Sequence, residues 1–202
     1  MKKALILLVM LAATFTAQAQ HDAGDFSIQP RLGITISNLT DFDKSKVNFA
    51  YGVEFENYFT ERFSLAAGLL FTNQGAKVNP TGANTEKTTL NIYYGTLPIT
   101  ANFYVLPGLA LKAGLQPALR VKTKFKQGNA TVDFDNYLDF YYGRDVKLNK
   151  FDLSVPVGLS YEIAGITLDA RYNIGLTKIV SGADKSTFNK VFVITLGYKF
   201  GN

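Results

Sequence analysis

The sequence predicts an all-β protein, an eight-stranded antiparallel up-and-down β-barrel that crosses a membrane. Three observations predict it. Eight segments alternate bulky apolar residues with small or polar ones, and this period of two indicates β-strands with two unlike faces. The connections between the segments are alternately long and tight. The last segment, 191–200, is long enough to cross a bilayer as a tilted strand, and it ends in an aromatic residue, as outer-membrane barrel strands often do.

The N-terminus has the form of a cleavable signal peptide. Lys2 and Lys3 are followed by an apolar stretch over 4–13 and by the cleavage pattern Ala17-Gln18-Ala19. The apolar stretch is shorter than the roughly 20 residues that a spanning helix needs. We therefore expect residues 1–19 to be a signal peptide, residues 20–202 to form the barrel domain, and the protein to be exported.

Composition narrows the possible functions. The formal charge of +5 falls to +3 without the signal peptide, with 19 basic against 16 acidic residues, because the segment removed holds two lysines and no acid. The basic residues are scattered, whereas a nucleic-acid-binding protein clusters them on one face. Cysteine is absent, so disulfides and thiolate metal sites are excluded.

The first three predicted strands cover residues 26–36, 47–56 and 63–72. In each, the bulky apolar residues share one face, as Phe49 and Tyr51 do in the second strand. Glycine, serine, threonine and charged residues occupy the other face, so each strand has an apolar side and a polar side.

The fourth predicted strand, 90–105, is less regular. Its apolar residues alternate in one phase up to residue 94 and in the opposite phase from residue 97. A change of phase near Gly95-Thr96 predicts a β-bulge, in which one extra residue reverses the facing of the residues after it. This interpretation assigns Leu90, Ile92 and Tyr94 to the apolar face.

The last four predicted strands cover residues 109–122, 151–162, 166–176 and 191–200. Outer-membrane barrels have short periplasmic turns and longer external loops. An even number of strands then places both termini on the periplasmic side. The tight turns are 60–62, 106–108 and 164–165, and the long connections are 37–46, 73–88, 123–150 and 177–187.

Packing volume indicates that the apolar face points outward. An eight-stranded barrel has an interior just wide enough for side chains, or for one small ligand. The Phe, Tyr, Leu and Ile residues of the apolar face are too many for that space, whereas the small residues of the other face fit it. The apolar face of the predicted strands also lacks Lys, Arg, Asp and Glu, and a basic residue at the bilayer midplane would cost roughly 2–4 kcal/mol.

The polar face carries charges of both signs, which must be paired if they are buried. We expect a charge network across the lumen. Arg171 and Asp169 are neighbours on this face, and Arg171 could pair with Asp152 or Glu162, or with Glu54 or Glu56 across the lumen. The network is interpreted as a structural plug, with a gate or polar conduction path as the alternative. Its members are Arg31, Glu54, Glu56, Lys112, Arg120, Lys122, Asp152, Glu162, Asp169, Arg171 and Lys199.

The third long connection mixes acids with aromatic residues, which suits a surface that contacts a partner or a glycan. A calcium site formed by Asp133, Asp135 and Asp139 is an alternative. Another is that the adjoining strands continue above the membrane as a hairpin. The contact candidates are Asp133, Phe134, Asp135, Tyr137, Asp139, Phe140, Tyr141 and Tyr142.

Five segments carry a family resemblance: LPI at 97–99, LQPAL at 115–119, FD at 151–152, GLSYE at 158–162 and LDARYNIGLT at 168–177. Through them the chain resembles the PorT-like outer-membrane β-barrel proteins over about residues 26–200. The resemblance implies a small outer-membrane barrel, similar in size to the OmpA and OmpX type, and one member of the family serves a protein-secretion apparatus.

The function predicted is that of a non-enzymatic outer-membrane barrel that presents external loops for envelope integrity, adhesion or partner binding. The sole histidine, His21, precedes the first strand, and no phosphate loop or metal-ligand motif is present, so no catalytic residue, metal or cofactor is predicted. The expected partners are outer-membrane lipid, the barrel-insertion machinery acting on the C-terminal strand, and an external or secretion partner, but not nucleic acid. The alternatives are a narrow porin-like conductor of small solutes, a component of a secretion apparatus, a rim enzyme and a soluble ligand carrier.

Overall fold

The computed structural model describes residues 21–39, 45–78, 88–127, 130–133, 147–181 and 188–201. These residues form antiparallel strands with no helix among them. The strands are β1 (Phe26–Leu39), β2 (Lys46–Thr60), β3 (Phe63–Val78), β4 (Thr88–Thr96), β5 (Ile99–Leu106), β6 (Leu109–Gln127), β7 (Ala130–Asp133), β8 (Lys147–Leu148), β9 (Phe151–Ile163), β10 (Ile166–Lys178), β11 (Val180–Ser181), β12 (Phe188–Tyr198) and β13 (Phe200–Gly201).

The sheet closes on itself into an eight-stranded barrel. β4 and β5 act as one barrel strand interrupted at Leu97–Pro98, and β12 and β13 as another interrupted at Lys199. Closure occurs because β1 pairs with β2 on one side and with β12 and β13 on the other, for example Ile34 with Ile194. The predicted fold class is confirmed. Within the described part of the chain, no helix has the length and apolar character needed to cross a membrane.

The apolar face points away from the barrel axis. Leu111, Leu168 and Phe192 are 52%, 51% and 37% exposed, whereas Arg171 is 3% exposed. Small and polar residues therefore fill the interior, as the packing argument predicts.

The prediction of a β-bulge near Gly95-Thr96 is wrong. Leu90, Ile92 and Tyr94 are buried inside the barrel, and the same phase continues through Thr96 to Thr100. The interruption at Leu97–Pro98 spans two residues, so the inward and outward alternation keeps its parity. The end of the barrel with the long connections is its upper end, and the end with the short turns is its lower end. The upper lumen is partly apolar, since Ala50, Val191 and Val193 also form a buried cluster there.

The bulge lies in the neighbouring strand instead. Tyr93 pairs with Lys122 and Tyr94 with Arg120, so Val121 of β6 has no partner in β4. Val121 and Lys122 are both exposed, and Thr123 turns inward. The prediction that Lys122 faces the lumen is therefore wrong, because the extra residue reverses the facing of β6 above it.

The lower end of the barrel carries the tight turns. The turn between β9 and β10 has positive φ angles at both central residues, 50° at Ala164 and 77° at Gly165. This is the backbone of a two-residue type I′ hairpin, whose twist matches that of the flanking strands. The start of β1 and the end of β13 lie at this same end.

Several strands extend beyond their predicted ends into the long connections. β3 continues to Val78 and β6 to Gln127, and β6 forms a hairpin with β7. A small second sheet joins β8 to β11. The contact candidates from Phe134 to Tyr142 lie outside the described residues, and so do two of the three aspartates of the suggested calcium site, Asp135 and Asp139.

Candidate functional site: the charged lumen

Five charged side chains meet in the middle of the lumen and are called here the central cluster: Arg31, Glu54, Lys112, Asp169 and Arg171. Arg31 Nη2 donates to Glu54 Oε1 at 2.9 Å. Lys112 Nζ donates to Glu54 Oε1 and to Asp169 Oδ2, both at 2.9 Å. Arg171 donates to both carboxylates. All five side chains are 0–3% exposed, so the charges are paired where water does not reach them.

A second group, the mouth cluster, lies towards the lower end and comprises His21, Glu56, Tyr58, Tyr104, Glu162 and Lys199. Lys199 Nζ lies 3.2 Å from Glu56 Oε2, and it also contacts Glu162 and the two tyrosine hydroxyls. Glu56 Oε1 accepts a hydrogen bond from Tyr104 Oη at 2.8 Å. The ring of His21 stacks on Tyr58, with 4.1 Å between centroids, so the segment before β1 closes over this group.

Gln29 joins the two clusters. Its Oε1 accepts from Arg31 Nη2 at 2.8 Å, and its Nε2 donates to Glu56 Oε2 at 2.8 Å. Arg31, Lys112, Arg171 and Lys199 supply four positive charges, and Glu54, Glu56, Glu162 and Asp169 supply four negative ones. The joined network is formally neutral with the histidine uncharged, which suits a low-dielectric interior.

The remaining predicted network residues lie higher. Asp152 is buried and accepts hydrogen bonds from Thr177 and from Asn189, the latter at 3.0 Å. Arg120 is half-buried and donates to Thr123 at 2.8 Å. The predicted charges therefore fall into three layers along the lumen.

Of the four acids considered as partners of Arg171, the structure selects Glu54. No salt bridge among the described residues joins Arg171 to Asp152, Glu162 or Glu56. Asp169 is the second partner, through Arg171 Nε and Asp169 Oδ1.

Several polar members of these layers were not among the predicted site residues. Tyr58 lies two residues after Glu56, and Tyr104 lies two residues after Asn102. Because residues two apart in a strand share a face, the alternation already indicates that both tyrosines point inward. Gln29 has the same strand parity as Arg31, which indicates its inward position, but its bridging role has no sequence signal. The contact of His21 with Glu162, with 3.1 Å between Nε2 and Oε2, depends on barrel closure and has no local sequence signal.

These layers join opposite charges across the lumen by ion pairs and hydrogen bonds. Every charged side chain in the central cluster contacts an opposite charge. Among the described residues, no group of three or more His, Cys, Asp or Glu side chains could hold a metal ion.

The model of a family described as outer membrane protein beta-barrel domain matches residues 17–181. The chain belongs to this family. It is therefore an outer-membrane protein, and its apolar outer wall faces lipid. The alternative that the chain is a soluble ligand carrier is therefore wrong, because the family is one of outer-membrane β-barrels.

Solved structures support the fold of this outer-membrane β-barrel. The chain is similar to Ail, the attachment invasion locus protein of Yersinia pestis, solved in complex with the heparin analogue sucrose octasulfate. The identity is 15% over 88% of this chain and 99% of Ail, with a TM-score of 0.51. It is also similar to Neisserial surface protein A, NspA, with 14% identity over 87% of this chain and 97% of NspA and a TM-score of 0.50. At these identities the likeness concerns the fold. The sequence matches no curated protein.

Proposed function

We propose that this protein is a non-enzymatic outer-membrane barrel that anchors its external connections for partner binding, in adhesion or envelope integrity. The observation that carries the proposal is the central cluster. Arg31, Lys112 and Arg171 contact Glu54 and Asp169 across the lumen, and their side chains are 0–3% exposed. A lumen filled in this way serves as a rigid core, which leaves the external connections as the part that can meet a partner.

The proposal includes the route and the orientation. Residues 1–19 direct export and are removed, and residues 20–202 form the barrel, which the insertion machinery receives through its C-terminal strand. The tight turns and both termini lie in the periplasm, and the long connections lie outside the cell. The support is the signal-like N-terminus and the alternation of short and long connections.

Residues 133–142 of the third long connection are the proposed contact segment. Residues 133–142 contain three aspartates and five aromatic residues and no lysine or arginine. Aromatic residues are enriched at protein interfaces. The acidic charge favours a partner with a basic or neutral surface, so a polyanion such as the ligand in the Ail complex is a poor fit for this segment.

The PorT-like resemblance supports a finer proposal. The segments between residues 97 and 177 resemble that subgroup, one member of which serves a protein-secretion apparatus. On this basis, the partner is an envelope protein and not a small molecule.

Site-specific photocrosslinking in intact cells tests the proposal. A photoreactive amino acid replaces Tyr137 in the contact segment or, as a matched control, Glu61 in the exposed turn between β2 and β3. We expect a discrete crosslinked protein from position 137 that is absent from position 61 and is lost in Asp135→Asn/Asp139→Asn.

Orientation is checked separately with single cysteines. A membrane-impermeant thiol reagent should label Tyr137→Cys but not Glu61→Cys in intact cells. The same crosslinked products from both positions, or none from position 137, would contradict the proposed role of the contact segment.

A further inference from the structure

A groove of about 490 Å³ lies on the outer wall of the barrel and crosses β2, β3, β4 and β6. Phe49, Tyr51 and Phe71 line it on one side, and Val121 and Lys122 on the other. Four of these five are large apolar side chains that are 43–73% exposed. The groove therefore offers an apolar, concave surface to the surrounding lipid.

Gly95 lies between Phe71 and Val121, two of the residues that line the groove. A Cβ at Gly95 would lie 3.9 Å from the Phe71 ring and 4.0 Å from a Val121 methyl group. Both distances are ordinary van der Waals contacts, so a Cβ fits here, and we expect a longer side chain to extend between these two lining residues. Gly95 is therefore the position chosen for a substitution that should narrow the groove.

A row of three lysines begins at the upper rim of the groove. Below Val121 the even-numbered residues of β6 face the lumen, as the buried Ala110 and Lys112 do. The bulge reverses this facing, so the even-numbered residues above it face outward. The lysine row consists of Lys122, Lys124 and Lys126, which are exposed, half-buried and exposed.

The lysine row lies at the height of lipid headgroups. From Leu109 to Val121 the outward positions of β6 are apolar. At about 3.3 Å per residue and a tilt of about 40°, this stretch rises by about 30 Å, which is enough for the hydrocarbon core. The lysines begin where this apolar stretch ends, so their charges lie at the boundary between lipid chains and headgroups.

We propose that the groove and the lysine row together bind a phosphate-bearing lipid of the outer leaflet. An acyl chain lies in the groove, and the phosphate lies against the lysines above it. The polarity of the wall, apolar below and cationic above, matches that of a lipid standing in the leaflet. Asp133 pairs in register with Lys124, and counting its charge still leaves the row with a formal excess of two positive charges. The assignment to the outer leaflet rests on the orientation proposed above.

Native mass spectrometry of the purified, folded full-length barrel tests the proposal, with lipid A as the probe and dephosphorylated lipid A as the comparison. We expect the triple variant Lys122→Gln/Lys124→Gln/Lys126→Gln to raise the apparent Kd for lipid A about a hundredfold, since each lysine near an anionic surface contributes roughly fivefold. Gly95→Leu should also weaken binding because the acyl chain is displaced. Dephosphorylated lipid A should bind as weakly to the parent protein as lipid A does to the triple variant.

Two matched controls separate the site from general effects. Lys178→Gln/Lys190→Gln removes two exposed lysines from β10 and β12 near the same end of the barrel. Ala113→Leu adds the same kind of side chain to the outer wall of β6 below the groove. Both should leave the apparent Kd unchanged.

An unchanged Kd in the triple variant, or an equal loss in the Lys178 and Lys190 control, would overturn the proposal. If inorganic phosphate displaces lipid A and Gly95→Leu binds like the parent protein, the site binds phosphate alone and the lipid assignment is wrong. Should the triple variant fail to fold, Lys124→Gln alone carries the test, with an expected change of about fivefold. The assay does not depend on which end faces outward, so its failure is distinguishable from failure of the proposed loop function.

Discussion

Glu54 is the acid that holds the central cluster together. It contacts Arg31, Lys112 and Arg171 at once and is completely buried. Removing one member of a buried ion pair leaves its partners charged and unsatisfied, which costs more than the pair contributes when intact. Loss of Glu54 would leave three cations with Asp169 as the remaining carboxylate of the cluster.

We therefore expect Glu54→Gln to lower the free energy of unfolding by about 3–5 kcal/mol, measured by urea titration of the barrel folded in lipid vesicles. The isosteric change keeps the side-chain volume, so the effect reports the charge. Glu61→Gln in the exposed turn is the control and should change stability by less than about 0.5 kcal/mol. Adding Lys112→Met to Glu54→Gln should recover part of the loss, and strict additivity of the two substitutions would argue against the cluster.

The residues of the network follow from strand parity, but their pairing does not. Arg31, Glu54 and Arg171 are assigned to the inner face by alternation along their own strands. The choice of Glu54 as the partner of Arg171 depends on how two strands face each other across the closed barrel. His21 shows the same limit, because it meets Glu162 across 141 residues of chain.

The turn between β9 and β10 is an element whose sequence is not optimal for its backbone. Ala164 has a φ of 50°, a left-handed conformation that costs an L-residue roughly 1–2 kcal/mol. Type I′ hairpins favour asparagine followed by glycine at these two positions, and Gly165 already supplies the second.

Ala164→Asn should therefore stabilise the barrel by about 0.5–1 kcal/mol in the same urea titration. The same substitution at Ala23, which is exposed and does not have a positive φ, is the matched control and should give no such gain. A loss of stability at position 164 would mean that the turn is not of type I′ in the folded protein.

The β4–β6 pair explains why the bulge was predicted in the wrong strand. Apolar residues occupy alternate positions on both sides of Gly95-Thr96, and the pattern is equally satisfied by a bulge or by apolar residues turned inward. The structure turns Leu90 and Ile92 into the partly apolar upper lumen and places the extra residue at Val121. A one-dimensional pattern cannot distinguish these solutions because both leave the neighbouring apolar positions satisfied.

The whole molecule combines an apolar outer wall with an interior that is filled by side chains and formally neutral. The central and mouth clusters occupy successive levels of the lumen and are joined by Gln29. Eight strands enclose a space that side chains can fill. In this barrel the side chains of the central cluster are held by salt bridges, three of which have nitrogen–oxygen distances of 2.9 Å.

We expect the purified protein to show no steady single-channel steps in planar bilayers, because ions would have to displace the paired charges of the central cluster. The control is a deliberately loosened lumen, Arg31→Ala/Lys112→Ala, in which short openings should be more frequent. Regular, reproducible steps from the parent protein would favour the alternative of a narrow conductor of small solutes.

The sequence by itself determined the class of the molecule. Alternation, the alternating connection lengths and the lack of charge on one face are enough for an eight-stranded membrane barrel, because lipid imposes that pattern residue by residue along each strand. Only the tertiary structure decided which charges pair in the lumen, where the bulge falls and which lysines of β6 face outward. These properties depend on register between strands and on closure of the sheet, and neither is encoded within a single strand.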